Sequence, residues 1–311
     1  MQLTTIGKTS ITISRIGVGT NKVGGHNYFS DLNEEEGKGF VKEAIGLGVN
    51  FIDTADVYGH GRSEELIGEV LSSPEIKREE LVIATKGGNE WNAEGKSWRN
   101  NRPDYLRSAL EASLRRLRLD YVDLYYLHFP DEETPLAESI GELNRLKAEG
   151  KIRAIGVSNL TIEQLKEAVK HAEIAALQAG YNMLDRNVEK ELLPFCAEHA
   201  ISFIPYFPLA SGLLSGKYTT ETVYTNDDAR YKRFKSEKYR DNLLKVDQLK
   251  ALADKKKTTL SNLALAWLLA QKGVTAVIPG GRRPEQARGI VQADDLTLSR
   301  EDLKNIDAIL K

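Results

Sequence analysis

The sequence predicts an α/β fold, a (β/α)8 TIM barrel, on three observations. Short β-branched apolar runs alternate with longer stretches of helical period, the pattern of βαβ units around a buried parallel sheet. Eight such runs occur. The 311 residues suit one barrel, and no internal repeat or Pro/Gly/Ser linker divides them, so a single domain over 1–311 is expected.

Leu3 to Ile6 and Ile11 to Ile13 flank Gly7-Lys8 and read as an N-terminal β-hairpin, placed to cover the barrel bottom. The eight runs are Ile16 to Thr20, Val49 to Asp53, Leu81 to Lys86, Tyr121 to His128, Ile152 to Asn159, Ala176 to Tyr181, Ile201 to Phe207 and Ala276 to Pro279. Between them, Pro103 to Arg118 opens on proline and repeats leucine at 106, 110, 114 and 117, one buried helical stripe. Thr161 to His171 starts with threonine and carries Gln164 three residues on, a capping box. Asn242 to Gln271 reads as one long helical region. Two connections are too long for simple turns: Gly87 to Arg102, with Trp91 and Trp98, and Gly212 to Arg240, rich in Tyr, Arg and Lys. Ordered loops of that length usually bind or cover something.

Composition narrows the function classes. A formal charge of −2 gives no reason to expect nucleic acid or an anionic membrane as partner. No apolar run is long enough to span a bilayer, and no basic start followed by an apolar run marks a secretory signal. Cys196 is the only cysteine, which suits a reducing compartment. A cytosolic monomer acting on a small molecule is the expectation. No His/Cys/Asp cluster has metal-ligand spacing, so no metal is expected.

In a (β/α)8 barrel, chemistry sits at the C-terminal ends of the strands. Those ends carry Asp53, Lys86, His128, Ser158-Asn159, Gln178, Tyr206 and Pro279-Gly280, more polar groups than a packed core needs. Any one has a bland reading, as helix cap, solvated lysine or structural histidine. Their concentration at matching strand ends does not.

Groups of these kinds gathered at one barrel mouth can run acid–base chemistry on a small substrate. Tyr58 is the candidate acid. A free phenol has a pKa near ~10, which a neighbouring ammonium would lower. Lys86 can be that ammonium, Asp53 its salt-bridged partner, and His128 a donor that orients the substrate oxygen. The five-residue spacing of Asp53 and Tyr58 lets both face the barrel mouth.

Gly48-Val-Asn-Phe-Ile-Asp53-Thr-Ala-Asp-Val-Tyr58-Gly, followed by Ser63-Glu64-Glu65, resembles the first signature of the aldo-keto reductases. Ala84-Thr85-Lys86, Asp120-Tyr-Val-Asp-Leu-Tyr-Tyr-Leu-His128 and Gly156-Val157-Ser158-Asn159 resemble its other hallmarks, in order, and the likeness runs from about Leu3 to Leu310. Gly19-Thr-Asn-Lys-Val-Gly-Gly-His-Asn27 is most similar to the bacterial branch containing the inositol-operon-type reductases.

The resemblance implies an NADP-dependent alcohol dehydrogenase/aldehyde reductase with a catalytic tetrad of Asp53, Tyr58, Lys86 and His128. It implies extended NADPH along the barrel rim: Ser158, Asn159 and Gln178 on the nicotinamide carboxamide, Tyr206 stacked on its ring, and Thr20 and Asn21 near the same end. Leu209, Ser211, Gly212, Leu214 and Lys217 would follow the pyrophosphate. Gly280, Gly281, Arg282 and Gln286 would take the adenosine 2′-phosphate, with Arg230 a second candidate for that anion and Arg283 as well read as surface. Ile290 stands where the family commonly has an adenine-contacting Asn, leaving adenine to apolar contact or to weaker binding. Tyr28, Trp91, Trp98 and Phe129 lie beside motif residues, as substrate lining or as loop anchors.

Other nucleotide motifs fail. Gly17-Val-Gly19 lacks the third glycine of a dinucleotide fingerprint, and Gly212 to Lys217 is one residue short of a P-loop, with Tyr218 in place of Ser or Thr. Two alternative functions stand beside this one. A Schiff-base aldolase using Lys86 needs a neutral lysine, which Asp53 opposes. A nucleotide-sensing barrel of the same family, with little turnover, is the second.

Overall fold

Period-two alternation builds the wall of the molecule. The computed structural model describes residues 1–219, 222 and 237–311. Strands β1 (Leu3–Thr5) and β2 (Thr12–Ser14) pair antiparallel as the expected N-terminal hairpin. Next come β3 (Val18–Gly19), β4 (Phe51–Asp53) and β5 (Val82–Gly87), then a second antiparallel hairpin, β6 (Asn89–Trp91) and β7 (Ser97–Arg99). Strands β8 (Val122–Leu127), β9 (Ile152–Ser158), β10 (Ile174–Gly180) and β11 (Ser202–Tyr206) complete the set. Seven of these form one parallel sheet in the order β11-β10-β9-β8-β5-β4-β3.

The eighth run, Ala276 to Pro279, does not form a regular strand. It closes the barrel through isolated parallel bridges instead: Val277 to Ile16, Gly280 to Gly19, and Val274 to Phe203 on the far edge. Val277 N donates to Arg15 O and Gly17 N to Val277 O, while Pro279, which has no N–H, still accepts from Gly19 N. A proline inside a run this short leaves too few donors for a continuous ladder.

Helices cover the outer face: α1 (Glu34–Gly46), α2 (Arg62–Leu71), α3 (Pro103–Leu117), α4 (Leu136–Ala148), α5 (Ile162–Ala168), α6 (Leu192–His199), α7 (Glu237–Lys255), α8 (Leu260–Leu269), α9 (Pro284–Val291) and α10 (Arg300–Leu310). The capping box at Thr161 and Gln164 forms, and Pro103 takes the first turn of α3. The single helix expected over Asn242 to Gln271 is two helices. Lys257 turns left-handed at φ 56°, and Thr259 caps α8 by accepting from Asn262 N at 3.1 Å. None of the helices among the described residues is long and apolar enough to cross a membrane.

Two cores result. Outward strand residues such as Ile52, Ile83, Ile155, Leu177 and Phe203 pack under the helices. Inward residues Phe51, Ala84, Leu124, Tyr126, Ala154, Ala176, Ile204 and Ile278 fill the barrel and meet Ile6, Ile11 and Ile13 of the first hairpin, which caps the bottom. Tyr126 takes so much of that space that a Cβ on Gly156 would lie 2.3 Å from its ring.

Candidate active site

The site is the top rung of the inward stripe. Side chains alternate faces along a strand, so positions two or four beyond an interior residue point inward again. Phe51 leads to Asp53, Ala84 to Lys86, Leu124 through Tyr126 to His128, Ala154 to Ser158, Ala176 to Gln178 and Ile204 to Tyr206. Where the barrel's apolar filling stops, the chain has placed its polar groups. Asp53, Lys86, His128, Ser158 and Gln178 are all buried.

Asp53 and Lys86 form the fixed centre. Lys86 Nζ donates to Asp53 Oδ1 at 2.5 Å and to Thr54 O at 2.7 Å, and Gln178 Nε2 donates to Asp53 Oδ2 at 2.8 Å. Burial pushes the Asp53 carboxyl up, and Lys86 and Gln178 pull it back. Both oxygens therefore hold donors, the condition under which a buried ion pair survives.

Tyr58 stands over this pair, its ring centroid 5.3 Å from Lys86 Nζ and 6.1 Å from the His128 ring, edge to face. The expectation that Lys86 lowers the phenol pKa is corrected. Burial drives it upward, reinforced by Asp53, Asp56 and Tyr206. Lys86 is ion-paired with Asp53, which offsets much of its charge at the phenol. Tyr58 is a fully protonated acid in its resting state. His128 is held neutral, its pKa pressed well below the usual imidazole range by burial and then by Lys86 and Arg99.

The side expected to take the nicotinamide is a connected rim. Asn159, left-handed at φ 60°, donates from Nδ2 to His128 O at 3.0 Å and to Ser158 Oγ at 2.9 Å. Its Oδ1 accepts from the Tyr206 hydroxyl at 2.8 Å. A Cβ on Gly180 would come within 3.3 Å of the Tyr206 ring, so glycine leaves room for that ring against the backbone. A flat aromatic face beside amide donors and acceptors fits a nicotinamide. Thr20 is placed differently: its hydroxyl belongs to a buried network with Ser63 Oγ (3.0 Å) and Asp53 O (3.2 Å). Asn21 does reach the rim, its Oδ1 lying 3.1 Å from where a Gly280 Cβ would be.

Along the expected pyrophosphate path, Ala210, Ser211 and Gly212 have φ of 49°, 57° and 95°. Two non-glycine residues in succession here cost on the order of 1 kcal/mol each, and such runs can turn amides toward one point. Leu214 faces away, fully buried in the outer core, with its amide bonded to Leu209 O. Lys217 Nζ lies 4.9 Å from the Tyr218 ring. Arg230 lies outside the described residues.

At the other end, Arg282 is engaged by Asp31, with Nη1 to Oδ2 at 2.6 Å, and its guanidinium sits 5.4 Å from the Phe29 ring. Gln286 Oε1 accepts the amides of Arg282 (2.7 Å) and Arg283 (3.2 Å), so this side chain caps α9. Ile290 is buried in the outer core, in the same cluster as Ala287. Gly281 must be glycine, because a Cβ would meet the Phe40 ring at 2.3 Å.

The four aromatics separate. Tyr28 and Phe129 border the mouth, with Tyr28 6.2 Å from Tyr58 and Phe129 stacked 4.9 Å from His128. Trp91 turns away and stacks on His60 at 5.3 Å, lining a side cavity of about 250 Å³ with Asp56, Tyr105 and Arg116. Trp98 is 42% exposed and tied to Glu90 through its indole N–H. Three residues escaped sequence reading: Asn89, which touches His128, Asp31, which holds Arg282, and Asp56, a buried carboxyl that no side chain hydrogen-bonds. Asp56 lies inside a quoted motif; Asn89 opens the three-residue strand β6 and Asp31 lies in the loop before α1, both too short for period to carry a signal.

The profile of the aldo/keto reductase family matches residues 15–311. An NADH-specific methylglyoxal reductase of Escherichia coli is 37% identical, over 96% of this chain and 94% of its own. The aldo-keto reductase YhdN of Bacillus subtilis is 35% identical, over 100% of this chain and 94% of its own. The solved glycerol dehydrogenase AKR11B4 of Gluconobacter oxydans superposes with a TM-score of 0.93 at 34% identity, covering 99% of this chain and 94% of that one.

Proposed function

The chain belongs to the aldo/keto reductase family, an oxidoreductase acting on carbonyl compounds with a nicotinamide cofactor, and we propose that it reduces small aldehydes with NADPH, using Tyr58 as proton donor. The observation that carries this reading is the convergence of Tyr58, the Asp53–Lys86 pair and a neutral His128 on the top rung of one barrel. When bound, the nicotinamide supplies hydride to the carbonyl carbon. His128 donates to the carbonyl oxygen and aligns it. The Tyr58 O–H gives its proton as negative charge grows on that oxygen, a burden the buried phenol could not release to water. Lys86, held by Asp53, then stabilises the phenolate left behind.

Ser158, Asn159 and Gln178 would hold the carboxamide, with Tyr206 against the ring. The strained turn at Ala210 to Gly212 would meet the pyrophosphate, and Gly280 to Arg282 the 2′-phosphate. Tyr28 and Phe129 favour substrates with a small apolar or aromatic body. A 2-oxoaldehyde is a natural first substrate, given the relative that reduces methylglyoxal. We take the protein to act as a cytosolic monomer, one barrel over its length; the lone cysteine, buried and with its thiol pushed up to about 12, suits a reducing compartment.

A preference for NADH is a second reading, favoured by the Asp31 carboxylate already on Arg282. Titration with NADPH and then NADH, followed by Trp and Tyr emission, decides between them. Adding an aldehyde panel to each complex tests the chemistry. The reading expects saturable binding that favours NADPH, oxidation on adding aldehyde, and loss of turnover but not of binding in Tyr58→Phe. Turnover retained in Tyr58→Phe removes Tyr58 as the acid.

A further inference from the structure

We propose that Asn89 is a positioning residue that fixes His128 in its Nε2–H tautomer, so that the imidazole donates to the substrate oxygen. This rests on the role given to His128 above. Asn89 Nδ2 lies 3.0 Å from His128 Nδ1. An amide nitrogen only donates, so the Nδ1 facing it must be bare, and a neutral imidazole then carries its one hydrogen on Nε2.

The second protonation, which would make the question moot, is opposed on every side. The ring is buried between Tyr58 and Phe129, and the charges that act on it are the cations of Lys86 and Arg99. The rest of His128 is fixed through its backbone, with N donating to Gly87 O at 2.9 Å and O accepting from Asn159 Nδ2. Only Asn89 therefore reads which ring nitrogen bears the hydrogen, among the hydrogen bonds of the described residues.

The fold delivers Asn89 deliberately. Gly87, the residue after Lys86, ends β5, and Gly88 turns the chain at φ +105°, where an added Cβ would strike Asn101 at 2.8 Å. Asn89 then opens β6, paired with Arg99, and its carbonyl accepts the Tyr105 hydroxyl at 2.6 Å. The β6–β7 hairpin thus reaches back over the barrel mouth and sets the chemistry of the histidine there. Were the amide turned over, its oxygen would select Nδ1–H and leave a bare Nε2 pointing lone pair to lone pair at a carbonyl oxygen.

The test is long-range proton–nitrogen NMR of the full-length ¹⁵N-labelled protein without ligand. Only five histidines are present, and His128→Gln identifies the signals of interest. The expected spectrum has a bare Nδ1 and a protonated Nε2, with any titration displaced below the usual imidazole range. Asn89→Leu should give mixed tautomers and roughly a tenfold lower kcat with KM for cofactor unchanged. Asn89→Asp, nearly isosteric, should place the hydrogen on Nδ1 and raise the His128 pKa. Its activity should then fall as pH rises through that pKa, by on the order of 100-fold, the loss of one oxyanion donor, on a limb that the parent protein lacks. Nδ1–H in the parent protein, or an unchanged tautomer in Asn89→Asp, overturns the proposal. If Asn89→Leu does not fold, the Asp variant carries the test alone. Because the spectrum is read without turnover, failure of aldehyde reduction would count against the function and not against the tautomer.

Discussion

Lys86 Nζ and Asp53 Oδ1 meet at 2.5 Å, with side chains 0% and 2% exposed, at the ends of neighbouring parallel strands. Their strands are held in register by Asp53 opposite Ala84, which places Lys86 one inward step above. Each residue is the other's main counter-charge. Lys86→Met alone, or Asp53→Asn alone, should abolish turnover and destabilise the fold by about 3–5 kcal/mol, because each strands a buried group. The double variant should be less destabilised than the sum. Urea unfolding of the four proteins checks this, and simple additivity would mean that the pair is not energetically coupled.

Asp31 should set the cofactor preference. Its carboxylate already occupies Arg282 at an exposed rim. A 2′-phosphate must share or displace it. Asp31→Asn should tighten NADPH binding several-fold, about 1 kcal/mol for an exposed charge pair, and leave NADH binding unchanged. Fluorescence titration with both nucleotides reads the result. Equal changes for the two would take Asp31 out of the recognition of that phosphate.

Asp56 should make stability depend on pH. Burial, and then the nearby Glu64, push its carboxyl well above the ordinary range, so the folded protein prefers the protonated form. Its contribution is fully present below the unfolded value near ~3.9 and is lost as pH rises through the folded one. Asp56→Asn should therefore be neutral in acid and stabilising by about 1–2 kcal/mol at neutral pH and above. Thermal unfolding across pH measures it. A parent protein as stable at neutral pH as its variant would show that Asp56 is satisfied as a carboxylate.

Two glycines in one region should respond in opposite ways. Gly281→Ala drives a Cβ into Phe40 and should cost about 1–3 kcal/mol while displacing the segment proposed to face the adenosine end. Gly289→Ala, inside α9 with nothing within 4 Å, should stabilise by roughly 0.5–1 kcal/mol. Unfolding midpoints together with NADPH affinity separate the two.

Much of the barrel could be read from period alone. Seven runs became strands within a few residues of their expected ends, and the eighth lost its ladder to Pro279 while keeping its place. The join of α7 and α8 was missed because Lys256 to Thr259 reads as polar helix surface until Lys257 is seen to be left-handed. Thr20 and Leu214 show the limit for site residues. Position along the chain put them beside the rim, but their side chains turn to a buried hydroxyl network and to the core.

What the sequence determined by itself was the inward stripe and its polar last rung, because a two-residue period fixes which face of a strand each side chain takes. That is enough to gather Asp53, Lys86, His128, Ser158, Gln178 and Tyr206 at one end of a closed sheet. Only the tertiary structure decided how those groups behave. Burial and a committed Lys86 hold Tyr58 as a phenol, Asn89 arrives at His128 from a hairpin, and Asp31 claims Arg282 across 251 positions of chain. Protonation and pairing depend on distance and desolvation, which local sequence does not encode.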